Sequence, residues 1–190
     1  MIASKKELKQ VLREEFNFYF KKRVYIIEKI TMSPFYMTWK YQKNLRKEEY
    51  YFNKKFKIRF LLTRRKKNKI GNKLGFYISK NVIDSGLKIY HTGNIVINEH
   101  SVIGKNLKLH GDNCIGNDGK NIDVAPIIGD NVELGFGASI VGNVKIADNV
   151  IIGAGAVVVT SCLESNVTLV GVPAKILRKC KLYEKTEFKN

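Results

Sequence analysis

The stretch "IVGNVKIADNVIIGAGAVVV", residues 140–159, returns isoleucine or valine at every sixth position: Ile140, Ile146, Ile152 and Val158. Two residues before each stands a small or branched apolar residue, Ala138, Val144, Val150 and Ala156. Six matches neither the helical period near 3.6 nor the strand period of 2. The pattern extends upstream through Ile128 and Leu134, and again through Ile97, Ile103, Leu109 and Ile115. The step from Ile115 to Ile128 is thirteen residues instead of twelve, so the two runs differ in phase by one. Small residues follow many repeat positions (Gly104, Gly116, Gly129, Gly135, Ala147, Gly153), and "IGDNVE", "IADNVI" and "IGAGAV" are copies of one unit.

A coil with three flat sides satisfies this period. Each hexad supplies one short extended side and one tight corner, and three hexads return the chain to its starting face one strand spacing (~4.8 Å) higher. Repeat apolars of successive turns stack inside the prism, and Asn, Asp and Gly relieve the corners. Each turn bonds the turns above and below it, as in a solenoid. A β-sandwich would show period-2 alternation instead, with turns every 8–12 residues. The expected fold is therefore mainly β, a parallel β-helix preceded by an α-helical N-terminal region. Periodicity does not set its hand.

The formal charge is +17 and unevenly placed. Residues 1–75 hold 22 of the 34 Lys and Arg but 6 of the 17 Asp and Glu, so the rest of the chain is nearly neutral. Cys114, Cys162 and Cys180 are too scattered for a disulfide framework. "MIASKKELKQ" lacks the apolar core of a signal peptide, and runs such as "VYII" (24–27) are too short to span a bilayer. The expected location is cytoplasmic, with contact at the inner membrane face left open.

Residues 4–31 read as helical, with a serine cap and acid near the start of "SKKELKQVLREEF" and Leu8, Val11 and Leu12 on one face. Residues 43–69 read as mainly helical, and Ser33–Pro34 marks a break. The run Arg64–Lys69 has three readings: a solvated face, a contact with anionic lipid, or a hold on acidic polysaccharide. No nucleic-acid-binding pattern accompanies it.

The segments "GLKIYHTGNIVINEHSVIG" (86–104), "PIIGDNVELGFGASIVGNVKIADNVIIGAGAVVV" (126–159) and "GVPAKILRK" (171–179) resemble the hexapeptide-repeat acyltransferases, in their serine acetyltransferase-like branch. The resemblance covers roughly the C-terminal 105 residues. It implies a left-handed parallel β-helix over residues 75–170 and a C-terminal turn and basic tail over 171–190; the basic helical region over 1–74 is read from charge and pattern and shares in no resemblance. It also implies acetyl-CoA as co-substrate, a homotrimer, and active sites between neighbouring prisms. The opening "GFYI" (75–78) followed by "GLKIYHTG" (86–93) is similar to a subgroup in bacterial polysaccharide clusters. The expected function is thus acetyl-CoA-dependent O-acetylation of a sugar hydroxyl in a surface polysaccharide or its precursor. Serine O-acetyltransferase of cysteine biosynthesis is the enzyme alternative, and an inactive trimeric scaffold the non-enzyme one.

Transfer of an acetyl group from a thioester to a hydroxyl needs a base, oxyanion donors and a groove for the pantetheine arm. The resemblance places the general base at His91, which also falls on the grid six before Ile97. His110, after Leu109, binds acceptor or assists the base; His100 reads as a solvent-facing corner residue. In serine acetyltransferases an aspartate about fifteen residues before the base orients it, but that position is Phe76 here, leaving Glu99, Asp112 or a backbone carbonyl. The family's loop histidine before proline is replaced by Ala125. Residues 117–125 break the repeat and, by resemblance, shape the acceptor pocket, with Asp118, Asp123 and Ala125 as candidates. Resemblance puts the donor groove at Gly116, Asn117, Gly135, Phe136, Ala154 and Gly155, with a backbone amide near Gly116 for the oxyanion. Phe136 either flanks the thioester arm or narrows the groove. Lys175, Arg178 and Lys179 are candidates for the CoA phosphates. Cys114 is expected to be an interior packing residue. Three isolated histidines form no metal cluster.

Overall fold

The computed structural model describes residues 2–179. Four helices fill the front of the described chain: α1 (Lys5–Asn17), α2 (Lys22–Ile30), α3 (Pro34–Asn53) and α4 (Lys57–Leu74). Local chemistry sets their ends. Ser4 Oγ accepts from Glu7 N at 3.1 Å while Glu7 Oε2 accepts from Ser4 N at 3.3 Å, a reciprocal cap. Ser33 Oγ accepts from Tyr36 N at 3.2 Å, and Pro34 stands at the first helical position, where its missing N–H costs nothing. Gly75, with φ +76°, closes α4 in the left-handed conformation.

From Phe76 the chain winds into three parallel sheets. The first holds β1 (Phe76–Ile78), β3 (Ile95–Ile97), β6 (Cys114–Gly116), β9 (Ser139–Val141) and β12 (Val157–Val158). The second holds β4 (Val102–Ile103), β7 (Ile127–Ile128) and β10 (Lys145–Ile146). The third holds β2 (Lys88–Ile89), β5 (Lys108–Leu109), β8 (Glu133–Leu134), β11 (Ile151–Ile152) and β13 (Val167–Val170), with β14 (Lys175–Lys179) antiparallel on its last edge. The strands are two or three residues long through most of the coil, and the corners take the rest. The chain is therefore mixed helix and strand rather than mainly β: the helices outweigh strands this short.

The six-residue grid is the inward face. Ile97, Ile115, Ile140 and Val158 are in register in the first sheet, Ile103, Ile128 and Ile146 in the second, and Ile89, Leu109, Leu134, Ile152 and Leu169 in the third. All are buried, and each such side chain contributes about 1.5–3 kcal/mol on leaving water. Ala138, Val144, Val150 and Ala156 are buried as well, inside the corners. The grid fails at one early position. It places 91 inward, but Ile89 takes that place and His91 moves to the corner, because the first turns are longer than three hexads.

Corners stack as strictly as sides. Asn106, Asn131 and Asn149 share φ near +57° to +59° and form a ladder, Asn106 Nδ2 donating to Asn131 Oδ1 (2.9 Å) and Asn131 Nδ2 to Asn149 Oδ1 (3.0 Å). Asp130 Oδ1 accepts from Lys105 N, and Asp148 Oδ1 from Asp130 N, both at 2.7 Å. A Cβ at Gly135 would stand 2.6 Å from Ala154 N, so the turn above leaves room only for glycine.

The helices close the open end of this coil. Glu15 accepts from Gly86 N and Leu87 N, Tyr19 Oη from Ile89 N, and Tyr41 Oη from Ile78 N. Gln42 donates to Leu87 O, Lys67 to Ile78 O, and Arg46 to Ile83 O and Asp84 O. Arg46 is itself fully buried between Glu15 (2.7 Å) and Glu49 (3.0 Å). Burial opposes its charge, but the two carboxylates outweigh that and hold the guanidinium protonated. Arg46→Ala leaves two buried carboxylates and two carbonyls uncompensated. Urea unfolding followed by circular dichroism should show a loss of about 3–5 kcal/mol.

Candidate active site

The corner column between the third and first sheets gathers many of the candidates. Its turns are residues 91–94, 110–113, 135–138 and 153–156, one above another. Asp112 Oδ1 accepts from Asn94 N at 2.7 Å, Gly137 N donates to Gly111 O at 2.9 Å, and Gly155 N to Phe136 O at 2.9 Å. Asn113 pins the column from inside: its Oδ1 accepts from Gly111 N, and its Nδ2 donates to Gly135 O and Ala138 O. His91, His110, Gly135, Phe136, Ala154 and Gly155 thus share one rim of the prism.

His91 is exposed on this rim, and its ring makes no hydrogen bond among the described residues. Neither Phe76 nor Glu99 can orient it. Phe76 is buried in β1 with its ring edge-on to Tyr41. Glu99 lies on a different corner, between β3 and β4, beside His100, which is exposed. Asp112 serves its own column by capping the Asn94 amide.

His110 is the organised imidazole. Its Nε2 stands 2.8 Å from Glu133 Oε1, and Tyr90 stacks on its ring with centroids 4.4 Å apart. Lys108 Nζ reaches the other oxygen, Glu133 Oε2, at 3.0 Å, and Lys88 lies over Tyr90. Half-burial pushes the Glu133 carboxyl up, but the hydrogen bonds from His110 and Lys108 outweigh it and hold the group below its usual range. Sequence reasoning missed Glu133. The signal was available by register: Leu109 and Leu134 stack, so Lys108 and Glu133 face each other on successive turns.

Phe136 is half-exposed and leans back over the turn before its own. A Cβ at Gly111 would stand 3.1 Å from its ring. It therefore covers the 110–113 corner and leaves the 153–155 corner open, where a Cβ on Gly155 would meet nothing within 4 Å. A flexible arm can lie against backbone there.

The remaining candidates stand elsewhere. Gly116 ends β6, and the loop it starts lies on the next corner column, between the first and second sheets, where Gly116 O accepts from Gly142 N at 2.9 Å. Asn117 Oδ1 and Asp118 Oδ1 turn this loop by accepting from Gly119 N and Lys120 N. Asp123 is exposed; Ala125 is buried and presents nothing to a ligand. Lys175 is exposed at the start of β14. The side chains of Arg178 and Lys179, and the tail beyond them, lie outside the described residues. Cys114 is not interior: Ile115 fills the core beside it, and Cys114 faces outward, half-buried, with its thiol pushed up by burial. Among the described residues no group of His, Cys, Asp or Glu could hold a metal ion, and no helix is long and apolar enough to cross a membrane.

Between the two corner columns the first sheet presents an outward strip in register, Tyr77, Val96, Cys114, Ser139 and Val157. Tyr77 is 65% exposed and Val96 44%. Within one chain, this strip separates the histidine rim from the 117–126 loop.

Residues 125–160 match the family described as bacterial transferase hexapeptide (six repeats). Over 65 residues, 34% of this chain, the sequence is 41% identical to probable serine acetyltransferase 5 of Oryza sativa subsp. japonica. The chain spans about a fifth of the length of the curated relatives it matches, 19% and 21%. The crystal structure of Neisseria gonorrhoeae serine acetyltransferase in complex with serine superposes with a TM-score of 0.69 at 25% identity, over 92% of this chain and 71% of that one. Serine acetyltransferase from Brucella abortus in complex with coenzyme A gives 0.71 at 24% identity, over 93% and 70%, a likeness of fold. The chain is similar to the hexapeptide-repeat acyltransferases. Within them the proteins it is similar to are serine acetyltransferases, and the likeness of fold takes in the helical front as well as the coil.

These matches overturn the sugar acceptor expected from the opening motif.

The Glu133 cluster yields a pH signature. Its lowered carboxyl adds stability that is fully present above the ordinary glutamate range and lost as pH falls through the folded-state value. The gap in melting temperature between the native protein and Glu133→Gln should be widest above about pH 4.3 and narrow below it.

Proposed function

We propose that this protein is an acetyl-CoA-dependent O-acetyltransferase whose acceptor is the hydroxyl of serine. The observation that carries the proposal is the serine acetyltransferase likeness, at 41% identity over a third of the chain and in fold over nearly all of it. The corner column supplies the matching chemistry. His91, exposed and with both ring nitrogens uncommitted among the described residues, takes the hydroxyl proton. The alkoxide attacks the thioester carbonyl, the tetrahedral intermediate collapses, and the CoA thiolate leaves with a proton. Glu133 fixes the tautomer of His110, which holds the acceptor one turn above His91.

Acetyl-CoA fits the open corner at Ala154 and Gly155, where small residues leave backbone accessible, and Lys175 supplies a cation near its end. Two residues of the serine acetyltransferase pattern are absent, at Phe76 and Ala125. We read the Glu133–His110 pair as taking over orientation at this site. The left-handed coil and the homotrimer belong to the same proposal. The apolar strip of Tyr77 and Val96 gives copies a surface to share, and a neighbour's 117–126 loop would then reach the histidine rim.

Release of CoA with L-serine as acceptor is the direct test. His91→Ala should lower the rate by roughly 10²–10⁴ while acetyl-CoA still binds by calorimetry. Glu133→Gln should raise KM for serine more than it lowers kcat. A folded protein that binds acetyl-CoA and releases none of it with L-serine would remove the acceptor assignment. A folded protein that fails to bind acetyl-CoA favours an inactive scaffold.

A further inference from the structure

The hairpin of α3 and α4 has two faces of opposite character. Its acids are all spent on one side. Glu48 pairs with Lys67 at 2.7 Å, and Glu49 joins Glu15 on Arg46. On the other side, Lys40, Lys43 and Lys47 of α3 stand at i, i+3 and i+7. They face Lys66, Lys69 and Lys73 of α4 at the same spacing. The two ladders line one groove of about 560 Å³, the size of small-molecule sites. None of the six is in an ion pair among the described residues, and no carboxylate lines the groove. Its floor is Trp39, Tyr36 and Ile70, with Asn44 as a neutral polar group. Lys40 Nζ lies 5.7 Å from the Tyr36 ring centroid.

Like charges at i, i+3 and i, i+4 oppose helix formation, and here such pairs occur on both helices at once. Lys43 is half-buried, and desolvation, then Lys47 and Lys29, push its ammonium down. A partner of opposite charge relieves an arrangement of this kind more fully than water and salt do. A concave site with cations on both walls suits a compact ligand carrying several negative charges, since each wall reaches a separate oxyanion. A bilayer meets protruding surface instead. Of the exposed apolar residues on and just after α2, Ile26, Ile27 and Ile30 do not line the groove, and Met32 alone does.

We propose that the α3–α4 groove is a binding site for a soluble, multiply phosphorylated small molecule, gripped between the Lys40–Lys43–Lys47 and Lys66–Lys69–Lys73 ladders. The site is separate from the corner column and does not rest on the acetyl-transfer reading. Its cations are lysines, which grip as point charges, so it selects for phosphate number more than for phosphate geometry.

The test is calorimetry of the full chain with sodium tripolyphosphate at about 150 mM salt. Saturable single-site binding is expected, weaker with pyrophosphate and weaker still with orthophosphate. The double variant Lys43→Gln/Lys69→Gln should lose at least about tenfold in affinity. A control of equal charge change on α1, Lys5→Gln/Lys9→Gln, should stay within about twofold, reflecting only screened long-range charge. Both variants alter exposed or half-exposed side chains, and an unchanged melting temperature confirms that they fold. The proposal is overturned by absence of saturable binding, by equal losses in the two variants, or by tripolyphosphate binding that survives the groove variant. It is also overturned if vesicles with about 30% anionic phosphatidylglycerol bind through Lys43 and Lys69 while tripolyphosphate does not.

Discussion

A parallel coil has a first turn, and that turn has no turn beneath it. Its amides and carbonyls would face water or nothing, and an open edge of this kind invites pairing with another chain. In this protein seven side chains from α1, the α1–α2 connection, α3 and α4 close it: Glu15, Tyr19, Tyr41, Gln42, Arg46, Glu49 and Lys67. They act as a surrogate turn made of side chains. The arrangement is demanding, because it buries a guanidinium and carboxylates that must satisfy one another at the same time. It also fixes the helices to the coil at defined points, so the front of the chain and the repeats form one packed body rather than a tether and a domain.

From that base every further turn is positioned by the one below. The corner columns inherit this order, and it is what makes a site out of residues far apart in sequence. His110 meets Glu133 because Leu109 and Leu134 stack. Phe136 lies against Gly111 because their corners are consecutive. No single segment contains this site; the vertical register does.

Much of the coil was legible from the hexad grid alone, since a period of six has few physical solutions and Ile140, Ile146, Ile152 and Val158 mark three walls in turn. The grid was weakest where turns exceed three hexads, which is why it set His91 inward on a wall when the residue stands on the corner. It gave no hint of Glu133, because a polar residue on an outward face has no period to betray it. Only counting registers across the loop would have found it. Cys114 was misread for a related reason: in strands this short, one step separates interior from surface. In the helical front, the caps at Ser4 and Ser33 were readable from local chemistry, whereas the burial of Arg46 was not. A lysine- and arginine-rich segment reads as uniformly solvated until the fold sorts its charges by face.

In the turns that flank residues 117–126 the stacked partners are spaced by twenty-five residues, as in Ile103 with Ile128, Leu109 with Leu134 and Ile115 with Ile140. In the turns next to these the spacing is eighteen, as in Ile97 with Ile115 and Ile140 with Val158. The whole excess is shed at a single bend, and the walls resume as though nothing had been added. The outer part of that bend can change in length while the walls keep their register, and only its end, where Ala125 is buried and Pro126 O accepts from Val102 N, is held by the coil.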